Sequence, residues 1–504
     1  MRTRQPLEIT IYTAAAVARS CSQFAHYRLC TVRSGLDCRY PREEPSAKTT
    51  AMPVPSSRLP GFFKKSVDER RSVVCDLAGL SAEEQQAIAS SGELTDEAAD
   101  RIIENVIGTY SLPLGVATNF IIDGKHYVVP MVLEEPSVVA AASNMAKRCH
   151  IRGGFKSDCT EPVMIGQVQV CRLKMDAKVA RDAVLANKAK LIALANSVDP
   201  ILVKFGGGCR DVEARVLETD AGTMLIVHLL VDCRDAMGAN AVNTMCETVG
   251  PEIGELCQGV VVLKIISNLA VHRLARVTGV FTPAELSSKG DAEEGKSIIE
   301  GVLDAYAFAK ADPFRAATNN KGVMNAISPI AVATGQDWRA VEAGCHSYAS
   351  YKGGGVSPFV QWSKNGDGDL VGHLEMPAPV GLIGGAARVH PCARACVKLL
   401  GVATATELGA VLAAVRAAVQ DALEDPENVF MHRKVPHSWS ELLELMHNYR
   451  AAAALVTDSP VAVGIRAATL HKIFFVRISP GDPITYFVAA AAHDLNPLSF
   501  QSFR

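Results

Sequence analysis

The chain has 504 residues, 51 Lys and Arg against 53 Asp and Glu, and a formal net charge of −2. So even a balance argues against an extended basic face for nucleic acid, and 48% hydrophobic residues exclude general disorder. The longest apolar run, MLIVHLLV at 224–231, is far short of the roughly 20 residues of a membrane span. At roughly 150 residues per domain the length predicts two to four domains. Fourteen cysteines are scattered with no C-x-x-C pair, which predicts reduced thiols in an intracellular protein and no zinc site.

In chain order, residues 1–51 come first. Arg2, Arg4, Arg19, Arg28 and Arg33 stand there against one acid, Glu8, before position 35. That charge pattern suits an organelle-targeting leader. Glu8 and the ITIY segment interrupt its amphipathic character, however, and a second Met stands at 52, so an untranslated leader fits equally. SAEE at 81–84 predicts a helix start with a capping box. Residues 95–107 carry Ala98, Ile102, Ile103 and Val106 at helical spacing. NFIIDGKHYVV at 119–129 predicts a hairpin turning at Asp123-Gly124. Residues 176–198 have helical periodicity, the Gly206-Gly207-Gly208 run predicts a tight turn, and 225–232 reads as a buried strand. Strands alternating with helices predict a mixed α and β architecture. Beyond about 416 the apolar runs are broken by Pro and Gly and predict no element.

No Rossmann fingerprint, P-loop, H-E-x-x-H or G-x-S-x-G is present. Instead, four polar clusters sit inside apolar sequence: 132–139 with adjacent Glu134 and Glu135, then 231–243, 315–325 and 334–344. Each could be helix capping taken singly, but buried charge is costly unless paired or used.

Together the clusters carry a resemblance. SRLPGF at 57–62, ENVIG at 104–108, EEPSVVAAAS at 134–143, GGGCRD at 206–211 and DAMGANAVNTM at 235–245 belong to it. So do SNLA at 267–270, NKGVMN at 320–325, GQDWRAVEAG at 335–344 and GGAARVHP at 384–391. On these motifs, from about 57 to 415, the chain resembles the soluble, class II form of 3-hydroxy-3-methylglutaryl-CoA reductase. The resemblance implies an α/β (α+β) fold. A large substrate-binding domain would span 52–161 and 268–415, with a smaller, non-Rossmann dinucleotide-binding domain inserted at 162–267. It implies reduction of the hydroxymethylglutaryl-CoA thioester to mevalonate and CoA by two hydride transfers from NAD(H) or NADP(H), or the reverse, without a metal. A cytoplasmic homodimer, or a multiple of it, off the membrane is implied as well. An organelle is the alternative compartment if 1–51 is a transit peptide.

By the same matching, Lys321 is the catalytic lysine, Glu135 the catalytic glutamate, and Asp337 the aspartate that hydrogen-bonds both. Glu104, Ser137, Asn268, Arg315 and Asn325 fall on substrate positions. Asp235, Met237 and Asn240 fall on the dinucleotide motif, and Asp199 is where an acid would favour NAD over NADP. The sequence departs from the family at Asn319, where His is usual, and after about 415. There the Gly-His-Met flap motif, whose His protonates the departing thiolate, is absent. His437, with His432 nearby, stands at about the right spacing, but Pro436 and the surrounding residues do not match. A CoA-thioester and dinucleotide binder impaired by that loss is the alternative reading.

Overall fold

Two consecutive capping boxes stand near the start of the described residues. The computed structural model describes residues 56–90 and 94–424. The leader, the region after 424, His432 and His437 therefore lie outside the described residues. Helices α1 (Val67–Ala78) and α2 (Ala82–Ala89) start at Ser66 and Ser81. Ser81 Oγ accepts from Glu84 N at 3.2 Å and Glu84 answers by accepting from Ser81 N at 2.7 Å, as the SAEE pattern requires. The third expected helix is a correction. Only α3 (Asp96–Asp100) forms, and the chain turns away after it, with Ile102, Ile103 and Ile107 exposed. A helix of one turn persists only where its apolar face is covered, and among the described residues nothing covers these isoleucines.

The hairpin follows: β1 (Leu114–Ile122) and β2 (Lys125–Val132) pair antiparallel, with Asp123 and Gly124 both at positive φ in the turn. Then come α4 (Val138–Arg148), β3 (Lys156–Cys159), β4 (Val163–Cys171), α5 (Ala177–Ala186), α6 (Lys188–Asn196) and α7 (Pro200–Lys204). The helical stretch at 176–198 is thus two helices. Asn187, whose side chain bonds Ala183 O at 2.8 Å, ends the first and opens the second.

Next are β5 (Gly208–Leu217), β6 (Met224–Asp232), α8 (Ala239–Cys257), β7 (Val260–Ser267), β8 (Leu274–Phe281), α9 (Pro283–Leu286) and α10 (Ala292–Ala311). The described chain ends with α11 (Pro313–Ala333), α12 (Trp338–Gly353), β9 (Val360–Lys364), β10 (Leu370–Pro377), α13 (Ala386–Val389), α14 (Pro391–Leu400) and α15 (Ala405–Glu424).

Apart from the hairpin there are two four-stranded antiparallel sheets, ordered β3-β8-β10-β9 and β5-β6-β4-β7. Each has its own core. One gathers Phe120, Phe155, Phe281, Trp362, Val323, Ile327 and Leu412 around α11 and α15. The other gathers Met164, Val168, Leu191, Leu225, Leu229, Met245 and Ile253 under α5, α6 and α8. The turn at Gly206–Gly208 enters the second sheet, and a Cβ on Gly207 would stand 2.7 Å from Asp232 O, which explains the glycine.

On the first sheet, Glu375 of β10 accepts from Tyr348 Oη (2.6 Å), Lys352 Nζ (2.7 Å) and Arg276 Nε (2.5 Å). Burial raises its pKa, but the Lys352, Tyr348 and Arg276 bonds outweigh it and bring the carboxyl to about 2. An unfolded Glu titrates near 4.3. The folded value is depressed, so the contribution to stability is complete above about pH 4.5 and is lost as pH falls toward 2. With solvent screening it amounts to no more than about 2 kcal/mol. Denaturant titrations at pH 7 and pH 3 should show a loss of stability that Glu375→Gln removes in part. An unchanged pH dependence in that variant would clear Glu375 of the effect.

Candidate active site

The connection from β2 to α4 presents the paired acids. Pro136 follows them, and Ser137 then enters α4 in the left-handed region (φ 74°) with no side-chain capping bond. A serine held there carries local strain of about 1–3 kcal/mol, a cost found where a side chain must be aimed. Across from it runs α11, started by Asp312, which accepts from Phe314 N and Arg315 N. Lys321 and Asn325, four residues apart, share one face of this helix. Lys321 Nζ lies 2.7 Å and Asn325 Nδ2 3.1 Å from the same oxygen, Glu135 Oε2. Three expected residues from two distant segments therefore meet.

Lys321 is 63% exposed and Glu135 39% exposed in this single chain. An ion pair so open contributes about 0–1 kcal/mol to stability, so its alignment needs another explanation than holding the fold. Behind it, Asn319 and Asn320 are buried. Asn319 Nδ2 donates to Asn320 Oδ1 (3.3 Å), which also accepts from Phe359 N (3.0 Å), while Asn320 Nδ2 donates to Ser357 O (2.8 Å). The Asn at 319 thus joins a buried amide network fixing α11 to the 357–359 segment.

Asp337 is the departure. It caps α12, accepting from Ala340 N at 3.1 Å with Arg339 Nε 3.7 Å away, and among the described residues it bonds neither Lys321 nor Glu135. A carboxylate satisfied by a helix N-terminus points along that helix, so the bonding expected of Asp337 is not formed here. Arg315 stands in the first turn of α11, and Glu104 lies exposed in the turn after α3. Asn268 follows β7, where Gly344 of α12 packs so closely that a Cβ would lie 2.6 Å from Asn268 O.

The other expected group surrounds the β6–α8 connection. Gly238, at φ 105°, leads into α8, and no side chain caps that helix. Its first-turn amides and dipole are open to a phosphate. A Cβ at 238 would fall 2.3 Å from Sγ of the buried Cys233, so packing against that thiol is what requires the glycine. These features fit a dinucleotide. Asn240 lies in the first turn. Asp235 Oδ1 accepts from Ala405 N at 2.8 Å, and Met237 O accepts from Arg273 at 3.1 Å. Asp199 caps α7 through Leu202 N at 2.9 Å.

Sequence reasoning missed the groups around this segment. Asp232, fully buried, accepts from Arg210 (2.7 Å) and Arg234 (2.9 Å), and both guanidiniums also bond Gly206 O. Arg273 was also unmarked, and Gln336 stood within the 335–344 motif with no role given to it. A lone arginine just before an apolar strand was the available signal for Arg273. Among the described residues, no three His, Cys, Asp or Glu side chains gather as metal ligands.

The family model for hydroxymethylglutaryl-coenzyme A reductase matches residues 66–420. The chain is 55% identical over 359 residues to the 3-hydroxy-3-methylglutaryl-coenzyme A reductase of Archaeoglobus fulgidus, covering 71% of this chain and 80% of the relative. It is 31% identical to the probable 3-hydroxy-3-methylglutaryl-coenzyme A reductase of Borreliella burgdorferi, covering 70% and 79%. In three dimensions it is similar to the class II 3-hydroxy-3-methylglutaryl-CoA reductase of Streptococcus pneumoniae, solved bound to NADPH. There the TM-score is 0.69 and the identity 38%, over 72% of this chain and 98% of the other.

Proposed function

The chain belongs to the hydroxymethylglutaryl-coenzyme A reductase family, and from that premise we propose that it interconverts hydroxymethylglutaryl-CoA with mevalonate and CoA. The observation that carries this is the convergence of Lys321 Nζ and Asn325 Nδ2 on Glu135 Oε2. A nicotinamide dinucleotide, when bound, supplies the hydride for each of the two reductions. The protein's own residues do the rest. Lys321 stands as the cation for the oxyanion that develops on the carbonyl. Glu135, 2.7 Å from it, is the acid that protonates the aldehyde oxygen in the second reduction. Arg315 takes the substrate carboxylate with two parallel N–H bonds, and Ser137, Asn268 and Asn325 orient the hydroxymethyl end. Glu104 lies on the pantetheine path, and Asp337 tunes the pair once the site is assembled.

We read 52–161 with 268–415 as the substrate domain and 162–267 as the inserted cofactor domain, a division that the separate cores support. A homodimer suits the exposed Ile107 and Tyr110 in the segment that holds Glu104. The free cysteines among the described residues suit the reducing cytoplasm, and no single described helix is long and apolar enough to cross a membrane.

For the cofactor, Asp235, Met237 and Asn240 hold the dinucleotide and Asp199 faces the ribose, tilting preference toward NAD. Steady-state rates with hydroxymethylglutaryl-CoA and each cofactor test both readings. NADH should give the higher kcat/KM. Asp199→Ser keeps the helix cap and removes one charge, so it should raise kcat/KM for NADPH about fivefold, the effect of about 1 kcal/mol of relieved repulsion. No turnover with either cofactor would end the reductase reading. Unchanged selectivity in Asp199→Ser would end the role of Asp199.

A further inference from the structure

Arg273 is only 4% exposed, yet its guanidinium meets backbone carbonyls alone: Ala236 O at 3.0 Å, Met237 O at 3.1 Å and Val380 O at 2.5 Å. Burial pushes its pKa down, opposed by Cys233, Asp235 and Asp232, and an arginine keeps its proton in any case. A full charge is therefore held against two carbonyls of the 235–240 segment and one of the 378–383 segment.

More contacts join the same two segments. Leu382 N and Ile383 N donate to Asp235 O at 2.7 and 3.2 Å, and Ala236 forms an isolated bridge with Ile383. Gly381 leaves no tolerance: a Cβ there would lie 2.3 Å from Met237 N and 2.7 Å from Ala236 C. Both are backbone atoms and cannot swing aside as a side-chain tip can. On its other side, Gly381 N donates to Gln336 Oε1 at 2.8 Å, and Gln336 immediately precedes Asp337. Two stretches of chain thus meet backbone to backbone and a third joins them through the Gln336 side-chain amide, and none of Arg273, Gly381 and Gln336 belongs to either apolar core.

We propose that Arg273, Gly381 and Gln336 are positioning residues that fix the height of the 235–240 segment against the 335–337 turn. They thereby set the position and orientation of a dinucleotide held by that segment. The inference rests on reading 235–240 as the dinucleotide segment. A charged donor shared by three carbonyls makes a stiff joint, and it contacts no substrate itself.

The test is direct titration of NADH and NADPH by fluorescence, beside calorimetric titration of hydroxymethylglutaryl-CoA and thermal melting, on the full chain. The variants are Gln336→Ala, Arg273→Lys, Arg273→Met, Gly381→Ala and Asn240→Ala. The dinucleotide dissociation constant should rise about tenfold in Arg273→Met and Gly381→Ala, as loss of a charge-assisted contact implies. It should recover in part in Arg273→Lys and rise a few-fold in Gln336→Ala. Affinity for hydroxymethylglutaryl-CoA should hold throughout, and kcat should fall by up to about 10²-fold, the effect of about 1 Å of misplacement.

Gln336→Ala and Arg273→Lys carry the test if the harsher changes do not fold. Normal dinucleotide binding in both overturns the proposal. So does a parallel loss of both ligands with lowered melting, which marks a purely structural joint. Normal binding in Asn240→Ala defeats the reading of the segment, and the proposal with it. Loss in Asn240→Ala alone leaves that reading standing and removes the joint.

Discussion

Lys321→Ala lowers kcat/KM for hydroxymethylglutaryl-CoA by about 10²–10³-fold, the effect of removing one preorganised oxyanion donor worth about 2.7–4 kcal/mol. The loss should appear in both reductions, because each puts negative charge on a carbonyl oxygen and Lys321 is the cation paired with Glu135. Unfolding is not the cause to expect. An open pair at the surface contributes about 0–1 kcal/mol, so the melting temperature should move by only a few degrees. Steady-state kinetics beside a thermal melt separate the two effects. More than a tenth of the activity left in a folded variant would remove Lys321 from the oxyanion role.

The second large effect belongs to Glu135→Gln. The amide keeps the shape and can still accept from Lys321 Nζ and Asn325 Nδ2, so binding of both ligands should hold. It has no carboxyl proton to deliver. Reduction of free mevaldehyde, which expels no thiolate, should fall by about 10²–10⁴-fold, the usual contribution of a positioned acid. Combining Lys321→Ala with Glu135→Gln should cost less than the product of the single losses, since residues that act as a unit are not additive. Mevaldehyde reduction that stays above a tenth of the parent rate in folded Glu135→Gln would assign the proton to another group.

What the sequence made legible was local. The Ser81 capping box and the Asp123-Gly124 turn each depend on residues within one turn of one another. Residues 95–107 misled because periodicity states which face wants cover and not whether cover exists. Asp337 at the start of a helix is a cap and an acid in the same letters, and only coordinates show that its carboxylate bonds Ala340. Gln336 and Gly381 stand 45 residues apart and meet through a single amide, which no pattern encodes. The assembly of Glu135 with Lys321 across 186 residues was legible only through the resemblance.

The strand pairing at one edge of the first sheet, where the chain leaves for the second and returns, also bears on how the chain folds. β3 and β8 pair Cys159 with Ala275, closing a loop of about 115 residues at an entropic cost of roughly 4 kcal/mol. Yet β4 and β7 pair Ile165 with Ser267 just inside that loop. Once 163–267 has collapsed on its own contacts, only about 14 residues of slack separate the two ladders. The remaining closure then costs roughly 2 kcal/mol less. The excursion therefore works as a staple for the sheet it interrupts, lowering the entropic cost of holding β3 and β8 in register.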